Sequence, residues 1–476
     1  MPPNSTRRTF LKQTTALALG LSVPSSATPF KKKATMKLNP IVEAEEDIYT
    51  FEPADNGAGP LWCHGSTIVA RRNEDTYVAV LETLPDQAPL HNCRWLLYQR
   101  RADGWRLVHR DTGRTREPSP IALLGNGDLL VSANPTLAAP DQYSGPAEPT
   151  VFRFDTDHID AAPVAEHPAW QGEPAFTEHS YRTVTTDAAN SEVLYMQNEG
   201  MHICHLSLLQ RDGRWTGLGK LAWPLEETQP LRLCYPNVAL RDRAAHFLGV
   251  GDIVEPVEEW RQAKFELTGR KWDYVFRRLF YAHTPDICKE PFGEWLELAN
   301  FDATAGRISS GDIWVDAAGT AHLIWLGTSA DERLRDRFFP DQDIAHCLEY
   351  LTLRDGGVVQ RRTLARIAEN EDGLRPNLAR FHVLEDGSLA VLATFSRNLS
   401  SSDLPAYVYR LAPVTAADAD MEWTDVPFAQ PISGTFLTNT VRGGSRPSST
   451  IDLVGTSPRT SNSLAYARIQ IERTDG

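Results

Sequence analysis

Several signatures that commonly fix a function are missing from this sequence. Its six cysteines (Cys63, Cys93, Cys204, Cys234, Cys288 and Cys347) are widely spaced and form no C-x-x-C pair, which excludes ordinary zinc-ribbon spacing. Most are expected to be buried, free thiols. There is no G-x-G-x-x-G, no P-loop and no H-E-x-x-H, so no cofactor is expected. Asp and Asn are plentiful enough for a structural cation, but no loop has calcium-ligand spacing, and no metal is assigned. Positive charge is in short supply: 48 Lys and Arg against 62 Asp and Glu leave a net charge of −14. A chain this acidic is a poor partner for nucleic acid or an anionic membrane surface. After the first thirty residues no apolar run is long enough to span a bilayer. What remains, 41% hydrophobic and 23% charged, is an ordinary soluble globular composition.

The first 27 residues read as an export signal. Thr6, Arg7, Arg8, Thr9, Phe10, Leu11 and Lys12 fit the twin-arginine pattern. A mildly apolar run over 14–23 follows, and Ser25, Ser26 and Ala27 offer small residues for cleavage. The expected destination is the periplasm or the medium. Removal of 1–27 takes away Arg7, Arg8 and Lys12 and no acidic residue, moving the net charge from −14 to −17. Residues 28–46 read as a linker, within which Met36 is an alternative start that would give a cytoplasmic product.

The remainder, 47–476, reads as one repeating domain. A pair of apolar β-patterned runs, usually joined by a short Asp/Asn/Gly turn, recurs seven times. The clear copies are PSPIALLGNGDLLVSA from Pro118, YRTVTTDAANSEVLYMQ from Tyr181, YPNVALRDRAAHFLGV from Tyr235, SSGDIWVDAAGTAHLIWLG from Ser309 and RPNLARFHVLEDGSLAVLA from Arg375. Weaker copies begin at His64 and Thr435. Each is followed by a more variable strand pair. A four-strand unit repeated seven times predicts an all-β fold, a seven-bladed β-propeller of four-stranded antiparallel blades. The last copy has only one outer strand, LAYARIQIE, so a run near the N-terminus such as DIYTFEP (47–53) must complete the ring and remove the open sheet edge.

A propeller brings the starts of its inner strands together in one funnel. The residues at those starts are His64, Glu117, His179, Tyr181, Arg182, Tyr235, Asn237, Arg307, Ser310, Asp312, Arg375, Asn377, Asn439 and Arg442. Several converging arginines in an acidic chain point to an anionic ligand held by bidentate contacts. About half of this set is expected to tie blades together instead. Two long insertions, 252–278 and 328–343, should overhang the same face, with Trp260, Trp272, Tyr274, Phe338 and Phe339 available to stack on a ligand or to cover surface helices.

With HSYR at 179–182 and CYPN at 234–237, an exported seven-bladed propeller of this kind resembles the BNR-repeat-like carbohydrate-active families, in particular ulvan lyases and rhamnose–glucuronate lyases and hydrolases. RRADGWRLV from Arg100 and LQRDGRWTG from Leu209 resemble remnants of the aspartate box. The resemblance implies an anionic polysaccharide or oligosaccharide as partner and, first, a polysaccharide lyase cleaving at a uronic acid by β-elimination. Such a reaction needs a base for the C5 proton, an acid for the leaving oxygen and a cation for the carboxylate. His179 is the expected base, Tyr235 or Tyr181 the acid and Arg182 the carboxylate partner. His64 is a further proton-transfer candidate. Arg307, Arg375, Arg442, Asn237, Asn377, Glu117 and Asp312 are expected to bind substrate. The alternatives are a sialidase- or rhamnosidase-like glycoside hydrolase, with Glu117 and Asp312, and Asp252 and Glu255 on the blade-four loop, as available carboxylates or His64 in their place, and a non-catalytic glycan-binding propeller.

Overall fold

The computed structural model describes residues 36–63, 65–226, 229–271, 273–397, 407–415 and 421–475; the segment 1–27 expected to be an export signal, His64 and Trp272 lie outside them. Seven antiparallel sheets form the blades of a β-propeller. Their inner strands are Val69–Arg72, Ile121–Leu123, Arg182–Asp187, Arg232–Arg241, Arg307–Val315, Leu374–Val383 and Ser433–Thr438. The second strands, such as Asp75–Thr83 and Glu192–Glu199, are buried along nearly their whole length. They are covered by blades on both sides, and their sequences are accordingly continuous apolar runs. The outermost strands see solvent: Gly357–Ala368 alternates and is largely polar. That gradient from continuous to alternating patterning is why the first halves of the repeats stand out in the sequence and the second halves do not.

The ring closes on blade seven, where Met36–Thr50 lies antiparallel along Ser463–Asp475, from Met36 opposite Asp475 to Thr50 opposite Ser463. The closing strand therefore begins well before the expected 47–53, and residues 36–46 belong to the sheet rather than to a linker. Leu38 is buried in the core cluster of blades six and seven, a position that a linker residue would not occupy.

The central channel is closed by side chains and by two crossing segments. Thr67 Oγ1 donates to the Thr438 carbonyl at 2.8 Å, joining blade one to blade seven, and Val184 N donates to Ser66 Oγ at 3.0 Å, joining it to blade three. The second plug is the turn 440–445. Its Arg442 carbonyl accepts from Thr185 Oγ1 at 3.1 Å.

The two insertions each form a helix, α1 (Glu258–Thr268) and α2 (Glu332–Phe338). Gly269, left-handed at φ 66°, ends α1, as a residue without Cβ does readily. Trp260, Phe338 and Phe339 pack on one another around Ala263, Ala305 and Leu334. Beneath them Lys264 is buried against Glu255 at 2.6 Å and also pairs with Asp273, while Arg277 bonds Glu255 from the other side. These aromatics form a small core that fixes the insertions to each other, and are not an open stacking platform.

Candidate active site

Four consecutive blade entries build one wall of the funnel. Blade one supplies Trp62 and Cys63, blade two Arg116 and Glu117, blade three Glu178, His179 and Tyr181, and blade four Arg232, Cys234 and Tyr235. The inner strand of blade four bulges between Cys234 and Asn237. At the bulge Tyr235 adopts φ 46°, a conformation that bulky residues seldom accept. The bulge turns the Tyr235 ring onto Tyr181, with centroids 4.6 Å apart, and edge-on to Trp62 at 5.9 Å. Thr183 Oγ1 donates to the Pro236 carbonyl at 2.9 Å and holds the bulge from blade three. From blade one the backbone of Gly65 lies against it so closely that a Cβ there would be 2.5 Å from the Pro236 carbonyl carbon.

His179 is the most open titratable group of the wall, its side chain 43% exposed. Its Nδ1 donates to Glu178 Oε1 at 2.8 Å, and Glu178, itself buried, also accepts from Gly145 N at 3.1 Å. That anchorage fixes the tautomer and leaves Nε2 as the acceptor. Burial lowers the His179 pKa below its ordinary 6.5, Arg116 and Arg232 lower it further, and Glu178 opposes them. The imidazole is therefore neutral at neutral pH.

The two guanidinium groups are each anchored on one edge. Arg116 donates through Nε to the Asn56 carbonyl at 3.1 Å and through NH1 to Glu117 at 2.8 Å. Arg232 donates through Nε to Asp252 Oδ2 at 3.0 Å, with NH2 on the same oxygen, and lies 4.8 Å over the Tyr181 ring. Among the described residues nothing hydrogen-bonds NH2 of Arg116 or NH1 of Arg232. Behind them Glu117 is 5% exposed. Burial pushes its carboxyl up to about 7, against the pull of Arg116, Arg182 and Arg232. The Tyr235 hydroxyl is sealed from solvent between Glu117 and Tyr181, and burial first, then the Glu117 charge, raises both phenols above their ordinary value.

The expected site residues fall into three groups. His179, Tyr181, Tyr235 and Glu117 come together on this wall. Arg182, Asn237, Asp312 and Arg442 lie buried and hold blades together. Arg182 donates to the Pro118 carbonyl at 2.6 Å, tying blade three to blade two. Arg442 donates to Asp312 at 2.9 Å, to the Gly65 carbonyl at 2.6 Å and to Asn237 at 3.2 Å, and Asp312 also accepts from Phe381 N at 3.0 Å. The cations that act on His179 are Arg116 and Arg232, while Arg182 NH2 ends on the Pro118 and Ser132 carbonyls. Arg307, Arg375 and Asn377 stand at the entries of blades five and six, near Arg333, Glu332 and His346. Sequence reasoning missed Arg116, Glu178 and Arg232, and took Asp252 for a loop carboxylate rather than the anchor of Arg232. The usable signal was a charge inside an apolar strand pattern: Arg232 and Asp252 face each other directly across the first two strands of blade four.

A cavity of about 830 Å³ opens at the other end of the axis, among the inner hairpin turns. Its lining includes Arg71, Arg241, Asp242 and Arg446 but no His or Tyr, so it lacks the proton-transfer groups of the funnel wall. Among the described residues no three His, Cys, Asp or Glu side chains are grouped to hold a metal ion. All six cysteines are free thiols.

No protein-family model matches the sequence, and no curated protein matches it. Solved structures do share its fold. An ulvan lyase of polysaccharide lyase family PL25, bound to -[GlcA(1-4)Rha3S]-, aligns over 89% of this chain and 95% of its own, with a TM-score of 0.52 and 9% identity. The polysaccharide lyase Uly1 aligns over 92% of this chain and 99% of its own, with a TM-score of 0.51 and 11% identity. At these identities the likeness is one of fold, a propeller of the same architecture.

Proposed function

We propose that this protein is a carbohydrate-active enzyme and that the wall formed by blades one to four cleaves a uronic-acid-containing glycan by β-elimination. The observation that carries the reading is a neutral histidine, 43% exposed, with Nδ1 anchored on Glu178, beside two guanidinium groups held by buried carboxylates. The two structures compared above, both polysaccharide lyases of the same fold, support it.

In this reading Arg116 NH2 and Arg232 NH1 take the uronate carboxylate and stabilise the charge that develops on it when the C5 proton leaves. His179 Nε2 removes that proton. The C5–H electron pair becomes the C4=C5 double bond, the C4–O bond breaks, and the leaving oxygen takes a proton from Tyr181. Tyr181 is the acid because the Tyr235 hydroxyl is sealed behind it. The Arg232 cation over the Tyr181 ring favours the phenolate that results.

Hydrolysis by paired carboxylates fits less well. Glu117, Glu178 and Asp252 are all buried, and each is held by Arg116, His179 or Arg232, so none stands free beside an open space where a glycosidic bond and a water would lie. We also propose export through the twin-arginine signal, to be checked by sequencing the N-terminus of the secreted protein.

The test is incubation of the purified protein with uronate polysaccharides such as ulvan and gum arabic while following the ultraviolet absorbance of the conjugated unsaturated uronate. A rise that His179→Ala abolishes in a folded protein is the expected result. New reducing ends without absorbance would overturn the lyase reading in favour of hydrolysis. Glycan binding without either signal would make the protein a binding propeller.

A further inference from the structure

The cavity of about 830 Å³ at the far end of the axis takes no part in the chemistry proposed for the funnel, and the plug turn 440–445 stands between the two. Its walls are preformed. Gly125 lies against the Ala188 carbonyl and Gly444 against the Leu123 carbonyl, each with no room for a Cβ, so the inner turns of blades two and three and the plug interlock. The volume falls within the roughly 300–1,000 Å³ of small-ligand sites.

The charge on its lining is unusual for so acidic a chain: five arginines face two aspartates. Three of the arginines are spent on the scaffold, Arg71 on Asp452 at 3.2 Å, Arg72 on Asp157 at 2.8 Å and Arg442 on Asp312 at 2.9 Å. Both aspartates are engaged by the turns themselves. Asp187 accepts from Asp242 N at 2.7 Å and from Asn190 Nδ2 at 2.8 Å, and Asp242 accepts from the same Asn190 amide at 3.0 Å. Two cations remain. Arg241 donates through NH1 to the Val315 carbonyl at 3.3 Å and stands 3.9 Å from Asp242. Arg446 is exposed and, among the described residues, pairs with no carboxylate. The same lining carries the half-buried Trp314, backed by His322 with ring centroids 5.0 Å apart.

We propose that this cavity is a second, non-catalytic binding site for an acidic oligosaccharide, with Arg241 and Arg446 on its carboxylate or sulfate group and Trp314 against a sugar ring. A guanidinium offers either anion parallel N–H donors. The C–H face of a pyranose is apolar and packs on an indole, which a bare inorganic anion does not need. The choice of a sugar rests on the carbohydrate-active reading above, whereas the anion site rests on the cavity alone. With the axis plugged, a ligand bound here does not reach His179, so the site holds glycan without cleaving it. A polymer gripped at both ends of the axis stays at high local concentration beside the funnel.

The test is amide hydrogen exchange of the whole protein with three sugars: a glucuronate-bearing disaccharide, rhamnose 3-sulfate and neutral cellobiose. At least one acidic sugar should slow exchange in 186–191 and 441–448, and whichever does so names the anionic group. The Kd read from that protection should rise by roughly tenfold or more in Arg446→Glu, the size of one lost charge-assisted contact, and should stay unchanged in His179→Ala. Arg446 is exposed, so its replacement leaves the fold intact, and Arg446→Lys should recover part of the affinity. Absence of protection in these turns would overturn the proposal, as would equal protection by cellobiose or an Arg446→Glu protein that binds like the wild type. Inorganic phosphate that protects as well as the sugars would make this a plain anion site and overturn the sugar assignment. Protection here in a protein that eliminates no uronate glycan would leave the anchor standing without the lyase reading, and elimination without protection here would overturn the anchor alone.

Discussion

Gly65→Ala is the sharpest structural test of this wall, because ordinary rules give the opposite sign. Replacing glycine by alanine at a compatible site stabilises a protein by about 0.4–1 kcal/mol through the unfolded chain. Gly65 is not among the glycines of positive φ, so its backbone tolerates alanine. What forbids it is space: the new Cβ would stand 2.5 Å from the Pro236 carbonyl carbon, and nearer still to the carbonyl oxygens of Tyr235 and Pro236. Carbon atoms pack at about 3.5–4.0 Å, so backbone must move by about 1 Å. The neighbour is backbone on the bulge that aims Tyr235, and Thr183 holds that bulge in place. Overpacking of this kind destabilises by about 1–3 kcal/mol. A melting temperature lower by a few degrees is the expected calorimetric result, since each kcal/mol shifts Tm by about 2–4 °C even in domains of 150–250 residues. Displacing Tyr235 by about 1 Å should also slow elimination by about 10²-fold. An unchanged or raised Tm together with an unchanged rate would refute both the close approach and the role given to the bulge.

Other perturbations separate the chemistry from the scaffold. His179→Ala should reduce elimination by about 10²–10⁴-fold with an unchanged melting temperature, because the ring is half exposed and packs little. The rate should depend on pH through His179: burial and the neighbouring arginines disfavour the imidazolium, so kcat/KM should fall on the acid side of a pKa below 6.5 and hold above it. An acid limb above 6.5 would contradict that environment. Arg442→Met should destabilise the fold by about 3–5 kcal/mol in denaturant, since it breaks the buried ion pair with Asp312 and the bonds to Gly65 and Asn237. Small destabilisation with lost glycan affinity would instead make Arg442 a ligand residue. Deleting residues 36–46 should give aggregated protein on size-exclusion chromatography, because it strips most of the closing strand and bares the edge of Ser463–Asp475.

The fold was legible because period-two and continuous apolar runs repeat seven times, and blade stacking demands such runs wherever a strand is covered on both faces. The closing strand was misplaced for a related reason. Met36–Thr50 is an edge strand rich in charge, so its core contact through Leu38 and Ile48 leaves little apolar pattern to read. At the site, the position of a residue in its repeat told which end of the axis it occupies, and this located His179, Tyr181 and Tyr235. It did not tell which way a side chain turns. Arg182 follows Tyr181 directly, yet it points into the sheet and ends on the Pro118 carbonyl. Conversely Arg232 precedes the strand start that the repeat suggested, and only the bulge at 235–236 turns the following ring onto Tyr181, 4.8 Å beneath its guanidinium. A single extra residue in a strand reverses the alternation, and no repeat pattern foretells it.

The arginines also show how this acidic chain divides its cations between scaffold and site. In the neck of the propeller Arg442 has every nitrogen bonded, and Arg182 ends on two backbone carbonyls. Arg442, satisfied in this way, has little left to offer a ligand. On the wall at blades two and four, by contrast, Arg116 is fixed by Glu117 and the Asn56 carbonyl, and Arg232 by Asp252. A cation held that way does not reorganise when charge develops in front of it, which is where preorganised donors gain their advantage over water. The same arrangement occupies the acids of the wall: Asp252 serves as anchor to Arg232, Glu178 to His179 and Glu117 to Arg116. On the reading proposed above, a wall whose buried carboxylates are all engaged by cations or histidine, and whose most exposed group is the His179 imidazole, meets the demand of elimination rather than of double displacement.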